Sequence, residues 1–224
     1  MVDGAERSRI RLTGLAGESR GAVLVLEGAR RAELRRACAL AGGIARRCLL
    51  VAVDGGIRAC RAEGLRPDLF VGDLDSAERP PRGVPAVVYP REKDWSDLGG
   101  ALRELGARRV SVIAVAGLLG GRLDHEWGNL FEIGAQARAF AGVLAPTDRG
   151  TVVVTACGCR AATVRGQAFS LFALSGAATV SLAGAKWSLR REPLRPGTLG
   201  LSNVTGSTLR LSVHRGVAAL VLPS

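Results

Sequence analysis

Two aspartates stand one residue apart in VGDLDS (71–76): Asp73 and Asp75, with Gly72 before them and Ser76 after. Like charges this close repel, and each raises the other's proton affinity. The problem recurs along the chain. Asp54 precedes Gly55-Gly56, Lys93-Asp94-Trp95-Ser96-Asp97 carries two more acids beside a lysine, and Gly120-Gly121-Arg122 leads through Leu123 to Asp124 and His125. Singly, each has a plain structural reading. Asp54 could cap a short helix after its glycine pair. Asp94 could cap the next helix, with Asp97 favouring its dipole. Gly120-Gly121 could be a turn, and Asp73 and Asp75 turn residues. Together they crowd several carboxylates onto one edge, and a divalent cation would relieve the repulsion. Oxygen donors without a Cys/His cluster favour Mg²⁺, which takes few carboxylates and completes its shell with substrate phosphates. Glycine turns at helix starts offer N–H groups to phosphate oxygens, and Arg122 or Lys93 could add charge-assisted bonds. The set reads as a metal–nucleotide site, without a GxxxxGK[ST] loop or a GxGxxG.

The surrounding pattern supplies the edge. Apolar runs at 22–28, 48–56, 67–76, 86–90 and 110–117 alternate with helical patterns at 29–43, 57–64, 95–106 and 123–137, and runs at 143–146 and 151–156 close the region. In the third helix, Trp95, Leu98, Ala101, Leu102 and Leu105 share a face. Continuous apolar strands between amphipathic helices imply a parallel sheet covered on both faces. Ligands bind such sheets at the carboxyl ends of the strands, where the motifs fall. Beyond about residue 156 the period becomes two: Ala185, Trp187 and Leu189 in one stretch, Leu209, Leu211 and Val213 in another. That pattern predicts antiparallel strands, with Trp187 in their core and His214 facing outward without a role. The expected fold is an α/β domain with a mostly parallel, Rossmann-like sheet over 19–150, then an all-β antiparallel sandwich or barrel over 151–224. Residues 1–18 are expected to be loosely ordered.

The net charge is +11, and of the 31 basic residues only Lys93 and Lys186 are lysines. A basic surface attracts polyanions, which motivates one rival reading, a non-enzymatic nucleic-acid-binding module. The arginines are scattered, and only ARRAELRR (29–36) is dense, as the solvated face of a helix; aromatics are just 4%. Such a module also leaves the clustered aspartates unexplained, so no specific nucleic-acid partner is expected. The five cysteines, Cys38, Cys48, Cys60, Cys157 and Cys159, fit no disulfide framework and are read as buried thiols of a reducing cytosol. No apolar run reaches a membrane span and the N-terminus has no signal-like apolar stretch, so the expected location is cytoplasmic.

The ordered set of motifs resembles thiamine pyrophosphokinase. That family's pattern runs DGG, PD-x-x-x-GD-[FL]-DS, [KQ]D-x-[TS]D, GGR-x-DH and a late SN pair. Here it is met by Asp54-Gly55-Gly56, Pro67-Asp68 with Gly72 to Ser76, Lys93 to Asp97, Gly120 to His125, and Ser202-Asn203. The resemblance covers roughly residues 22–222. It implies an enzyme that moves a pyrophosphoryl group from ATP to the thiamine hydroxyl, with Mg²⁺, as a homodimer. It assigns Asp73, Asp75 and Asp97 to the metal and the triphosphate. Asp54, Gly55, Gly56, Gly72, Ser76, Lys93, Asp94, Gly120, Gly121, Arg122, Asp124 and His125 go to the nucleotide edge, and Ser202 and Asn203 to thiamine. Ser96 stands where threonine is commoner, and Val204 where a polar residue is often found. The nearest rivals are a pyrophosphokinase acting on a pterin alcohol and a DxD nucleotide-sugar transferase.

Overall fold

A computed structural model describes residues 10–15, 19–74, 79–174, 176–197 and 199–224. The chain runs through β1 (Ile10–Leu12), β2 (Arg20–Val25), α1 (Arg31–Ile44), β3 (Arg47–Val53), α2 (Gly56–Ala62), β4 (Leu69–Gly72), β5 (Ala86–Val88), α3 (Asp97–Ala107), β6 (Val112–Ala116) and α4 (Leu123–Gln136). After a 3-10 turn at Ala137–Ala139 it continues as β7 (Gly142–Thr147), β8 (Gly150–Thr155), β9 (Gly158–Ala162), β10 (Ala168–Ala173), β11 (Ala178–Ala185), β12 (Leu189–Leu194), β13 (Asn203–Arg215) and β14 (Ala218–Pro223).

The result is a mixed sheet with few helices and a large β-rich part. Six strands, in the order β7-β6-β2-β3-β4-β5, pair in parallel. Alternate residues on a strand point to opposite faces, and both faces are covered. Leu24, Val51, Val53, Val71 and Ile113 pack with Leu98, Leu102 and Leu105 of α3 and Ile133 of α4. Val23, Val25, Ala52, Phe70 and Ala114 pack on the other face with Leu34, Ala37 and Ala41 of α1 and Ile57 of α2. Each fully buried aliphatic side chain contributes about 1.5–3 kcal/mol.

The sheet continues antiparallel from β7 through β8 and β14 to β10. The division expected at residue 150 falls at the start of β8, and main-chain pairing runs straight across it. A second set of strands, with β13 between β9 and β11, carries β1 and β12 on its margins. One core joins Val153, Leu171 and Leu220 to Cys159, Val180, Leu182, Leu209 and Leu211.

Several expectations are corrected. Ile10 and Leu12, within the segment expected to be loosely ordered, are buried in a strand paired with β9; residues 1–9 and 16–18 lie outside the described residues. Trp95 precedes α3 and is partly exposed, packing edge-on against Tyr89 at 6.1 Å. Trp187 falls between β11 and β12 and is 53% exposed, because the alternation that placed it inward is broken by a turn. Cys60 and Cys159 are buried, and burial pushes their thiols up to about 11 and about 12; Cys38, Cys48 and Cys157 are exposed. Arg36, read as part of a solvated face, donates to Thr147 O, Gly150 O and Thr151 Oγ1, pinning the β7–β8 turn to α1.

Candidate active site at the carboxyl edge of the parallel strands

Strand order sets out the site. Asp54 follows β3, Asp73 follows β4 and Lys93 follows β5, and these three strands are adjacent. On the other side, Glu27 lies just beyond β2, and the Gly117–Arg122 loop follows β6. The glycine pair after Asp54 has a steric reason: a Cβ on Gly56 would lie 1.8 Å from the Val25 carbonyl oxygen, so α2 can start this close to β2 only with glycine there. Asp54 and Leu74 hold left-handed backbone (φ 42° and 58°), as does Ser202 (φ 58°). Left-handed non-glycine residues cost energy and cluster at functional sites.

Lys93 organises the acids. Its side chain is only 6% exposed, and Nζ lies 2.9 Å from Asp73 Oδ2 and 3.3 Å from Asp97 Oδ1. Burial draws the lysine down, but the two carboxylates outweigh it and leave it raised. Asp97 is raised as well: burial pushes it up, Lys93 pulls it down, and the charges of Asp73 and Asp54 push it up again. Asp54, Asp73 and Asp97 therefore share one electrostatic neighbourhood around a buried ammonium. Asp54 Oδ1 and Asp97 Oδ1 are buried without a hydrogen-bond partner among the described residues; Asp97 Oδ1 lies near Lys93 but outside bonding geometry. Such orphaned oxygens cost about 1–3 kcal/mol each, and they are the donors a hard cation takes. Among the described residues no three or more Cys, His, Asp or Glu side chains gather as a ready-made metal cage.

Asp97 opens α3, whose N-cap is Ser96: its Oγ accepts the Gly99 N–H at 3.0 Å. The capping reading of Asp94 is thereby corrected; Asp94 is exposed, three residues ahead of the helix. In the β6–α4 loop, the Gly120 and Gly121 N–H groups both donate to Glu126 Oε1, at 2.5 and 2.9 Å. The amides expected to face phosphate are engaged by this chain's own carboxylate. Arg122 pairs with Asp124 at 2.7 Å, both exposed, and the bond holds the Asp124 carboxyl below its ordinary value. His125 is exposed on the first turn of α4. Asp75 and Ser76 lie outside the described residues.

Ser202 and Asn203 sit at the start of β13. No hydrogen bond or ion pair among the described residues joins them to the carboxylates. Asn203 is buried, and its amide spans the Trp187 peptide, donating to Trp187 O at 2.8 Å and accepting from Trp187 N at 3.2 Å. It also accepts from Val204 N. The Trp187 ring stands outside with Lys186 Nζ 4.6 Å from its centre. Sequence reasoning missed Glu126 and Glu27, and for Trp187 it favoured the core over a stacking platform. Acidic residues in the first turn of α4 were the available signal for Glu126.

The fold that positions these residues is shared with a group of solved structures. A crystal structure of thiamine pyrophosphokinase from Bacillus subtilis matches over 91% of this chain and 99% of its own length, at TM-score 0.68 and 21% identity. One of thiamin pyrophosphokinase from Geobacillus thermodenitrificans matches 91% of this chain and 97% of its own, at TM-score 0.66 and 24% identity. Thiamin pyrophosphokinase from Candida albicans gives 92% and 90%, at TM-score 0.65 and 14% identity. Residues 43–140 match the family model of the thiamin pyrophosphokinase catalytic domain. A curated thiamine pyrophosphokinase of Bacillus subtilis is 35% identical over 88 residues, a segment that spans 37% of this chain and 41% of that relative. Residues 43–140 are thus similar to the thiamin pyrophosphokinase catalytic domain, the whole fold is similar to solved thiamin pyrophosphokinases, and both agree with the resemblance carried by the motifs.

Proposed function

We propose that this chain transfers the pyrophosphoryl group of ATP to the hydroxyethyl oxygen of thiamine. The alcohol oxygen forms a bond to the β-phosphorus, the bond from that phosphorus to the α–β bridging oxygen breaks, and AMP leaves with the electron pair. The alcohol proton passes to a carboxylate of the site. The observation that carries the reading is the buried Lys93 held between Asp73 and Asp97, with Asp54 beside them, on neighbouring strand ends. Such a reaction depends on positioning and charge neutralisation more than on covalent chemistry.

Asp73, Asp75 and Asp97 would hold Mg²⁺, which when bound supplies charge neutralisation to the triphosphate; the orphaned buried oxygen of Asp97 suits that donor set. Lys93 orients Asp73 and Asp97 and meets phosphate oxygens. Asp54, Gly55, Gly56 and Gly72 shape the nucleotide edge, with Ser76 and Asp94 nearby. The Gly120 and Gly121 amides receive a phosphate once Glu126 turns away, and Arg122, Asp124 and His125 complete that side. Asn203 serves thiamine through Trp187: it fixes the peptide that presents the exposed ring, where a thiazolium cation can take the place Lys186 holds. Ser202 lies beside that pocket. The working form is a cytoplasmic homodimer. No helix among the described residues is long and apolar enough to cross a membrane.

The test is Asp73→Asn. Turnover of thiamine with MgATP is expected to fall at least about 100-fold, the response to added Mg²⁺ to weaken, and the circular dichroism spectrum to stay unchanged. Normal turnover would remove Asp73 from the site. AMP formed with a pterin alcohol but not with thiamine would overturn the substrate, and ADP as product the reaction class.

A further inference from the structure

A cavity of about 490 Å³ opens on the β-rich part of the molecule, away from the residues of the carboxyl edge. Three arginines line it from separate elements: Arg138 from the 3-10 turn after α4, Arg195 just past the end of β12, and Arg215 at the end of β13. Strand register explains why the last two meet. Thr179 of β11 is the cross-strand partner of Arg215 on one side and of Pro193 on the other, and Arg195 lies two residues beyond Pro193 on the same face. The β13–β14 turn forms part of the wall. Gly216 there has φ +83°, and a Cβ on it would lie 2.4 Å from the Ala177 carbonyl oxygen, so only glycine lets the turn close this tightly.

Several arginines of the basic surface meet acids: Arg30 with Asp148, Arg31 with Glu63, Arg58 with Glu27, Arg108 with Glu104. Others stand without an acid, and what distinguishes Arg138, Arg195 and Arg215 is that all three line one cavity. No acidic side chain lines the cavity, and none of the three arginine side chains has a hydrogen bond or ion pair among the described residues. Three exposed cations around one concavity raise its positive potential, and a cleft lined by one sign of charge concentrates anions. Guanidinium forks match phosphate oxygens in pairs.

We infer that this cavity is a second anion site, taking a small polyanion with at least two linked phosphate groups. Three guanidinium charges exceed the roughly one and a half to two negative charges that a single phosphate group carries at neutral pH, which favours linked phosphates. The volume is that of a small-molecule site, about 300–1,000 Å³. The lining has no aromatic side chain, so the site reads charge and not a base. Being built from none of the residues assigned to ATP or thiamine, it stands or falls apart from the proposed reaction.

The experiment is calorimetric titration of the full chain with inorganic pyrophosphate, in low salt with a chelator so that no divalent cation contributes. Wild type and Asp73→Asn are expected to bind with equal affinity. The triple variant Arg138→Ser, Arg195→Ser, Arg215→Ser is expected to bind at least about tenfold more weakly while keeping its thermal melt and its turnover with saturating MgATP and thiamine. Arg215→Lys, which keeps the charge but loses the fork, is expected to fall between. Undiminished binding by the triple variant, or no binding by wild type at millimolar pyrophosphate, would overturn the site. Orthophosphate binding as tightly as pyrophosphate would overturn the two-phosphate assignment.

Discussion

The two parts of the sheet spend their polar side chains differently. In the parallel part, Asp54, Asp73 and Lys93 sit past strand ends; the Asp54 N–H still bonds Val71 O, but their side chains take no part in the ladder. Lys93 pairs with Asp73 and lies 3.3 Å from Asp97, while Asp54 Oδ1 and Asp97 Oδ1 accept no hydrogen bond among the described residues. In the antiparallel part, Asn203 and Thr205 sit within or at the start of a strand, and their side chains bond to neighbouring backbone: Asn203 to Trp187, Thr205 to Val164 and Gln167. The first part therefore holds groups that can exchange partners for a ligand, and the second holds groups that shape a surface for one.

Three variants can break or sharpen that contrast. The largest effect is expected from Lys93→Met. It removes the buried cation and leaves Asp73 and Asp97 facing each other, at a cost of about 3–5 kcal/mol. Adding Asp97→Asn should recover a large part of that loss in denaturant unfolding, although neither protein should turn over. If Lys93→Met unfolds like wild type, the lysine does not organise the acids. Next is Asn203→Ala, with an expected loss of about 1–3 kcal/mol from the unpaired Trp187 peptide. Its KM for thiamine should rise more than its kcat falls; equal losses in both would place Asn203 at the reacting atoms and blur the distinction. The smallest is Glu126→Gln. A neutral acceptor holds the Gly120 and Gly121 amides less tightly, so the KM for ATP should drop a few-fold at nearly constant kcat. A raised KM would mean that Glu126 supports the nucleotide and does not compete with it.

The parallel part was legible because its rules are local. Continuous apolar runs such as 110–117 and the helical face of Leu98, Leu102 and Leu105 need no knowledge of distant partners, and the carboxyl-edge rule then placed Asp54, Asp73 and Asp97. The motifs did not reveal that Lys93 is buried between two of those acids, since that depends on how β4 and β5 pair. Glu126 was missed for a similar reason: its partners are the amides of a loop whose shape is tertiary. Trp187 was misplaced because strict alternation was carried through a turn that only the β11–β12 pairing reveals. The three-arginine cavity left no sequence signal, its members being 57 and 20 residues apart, separations that only register brings together.

The pairing of β8 with β7 on one side and β14 on the other has a mechanical consequence. Two domains joined by a linker swing by default, but two halves that share a hydrogen-bonded ladder have no hinge between them. The parallel strands and β8, β14 and β10 then form one stiff frame, like a gauge cut from one plate, against which the strands on either side of Trp187 pack. Any closing motion during turnover has to come from the loops at the strand ends, and a ligand cannot draw the halves together to make up for a poor fit.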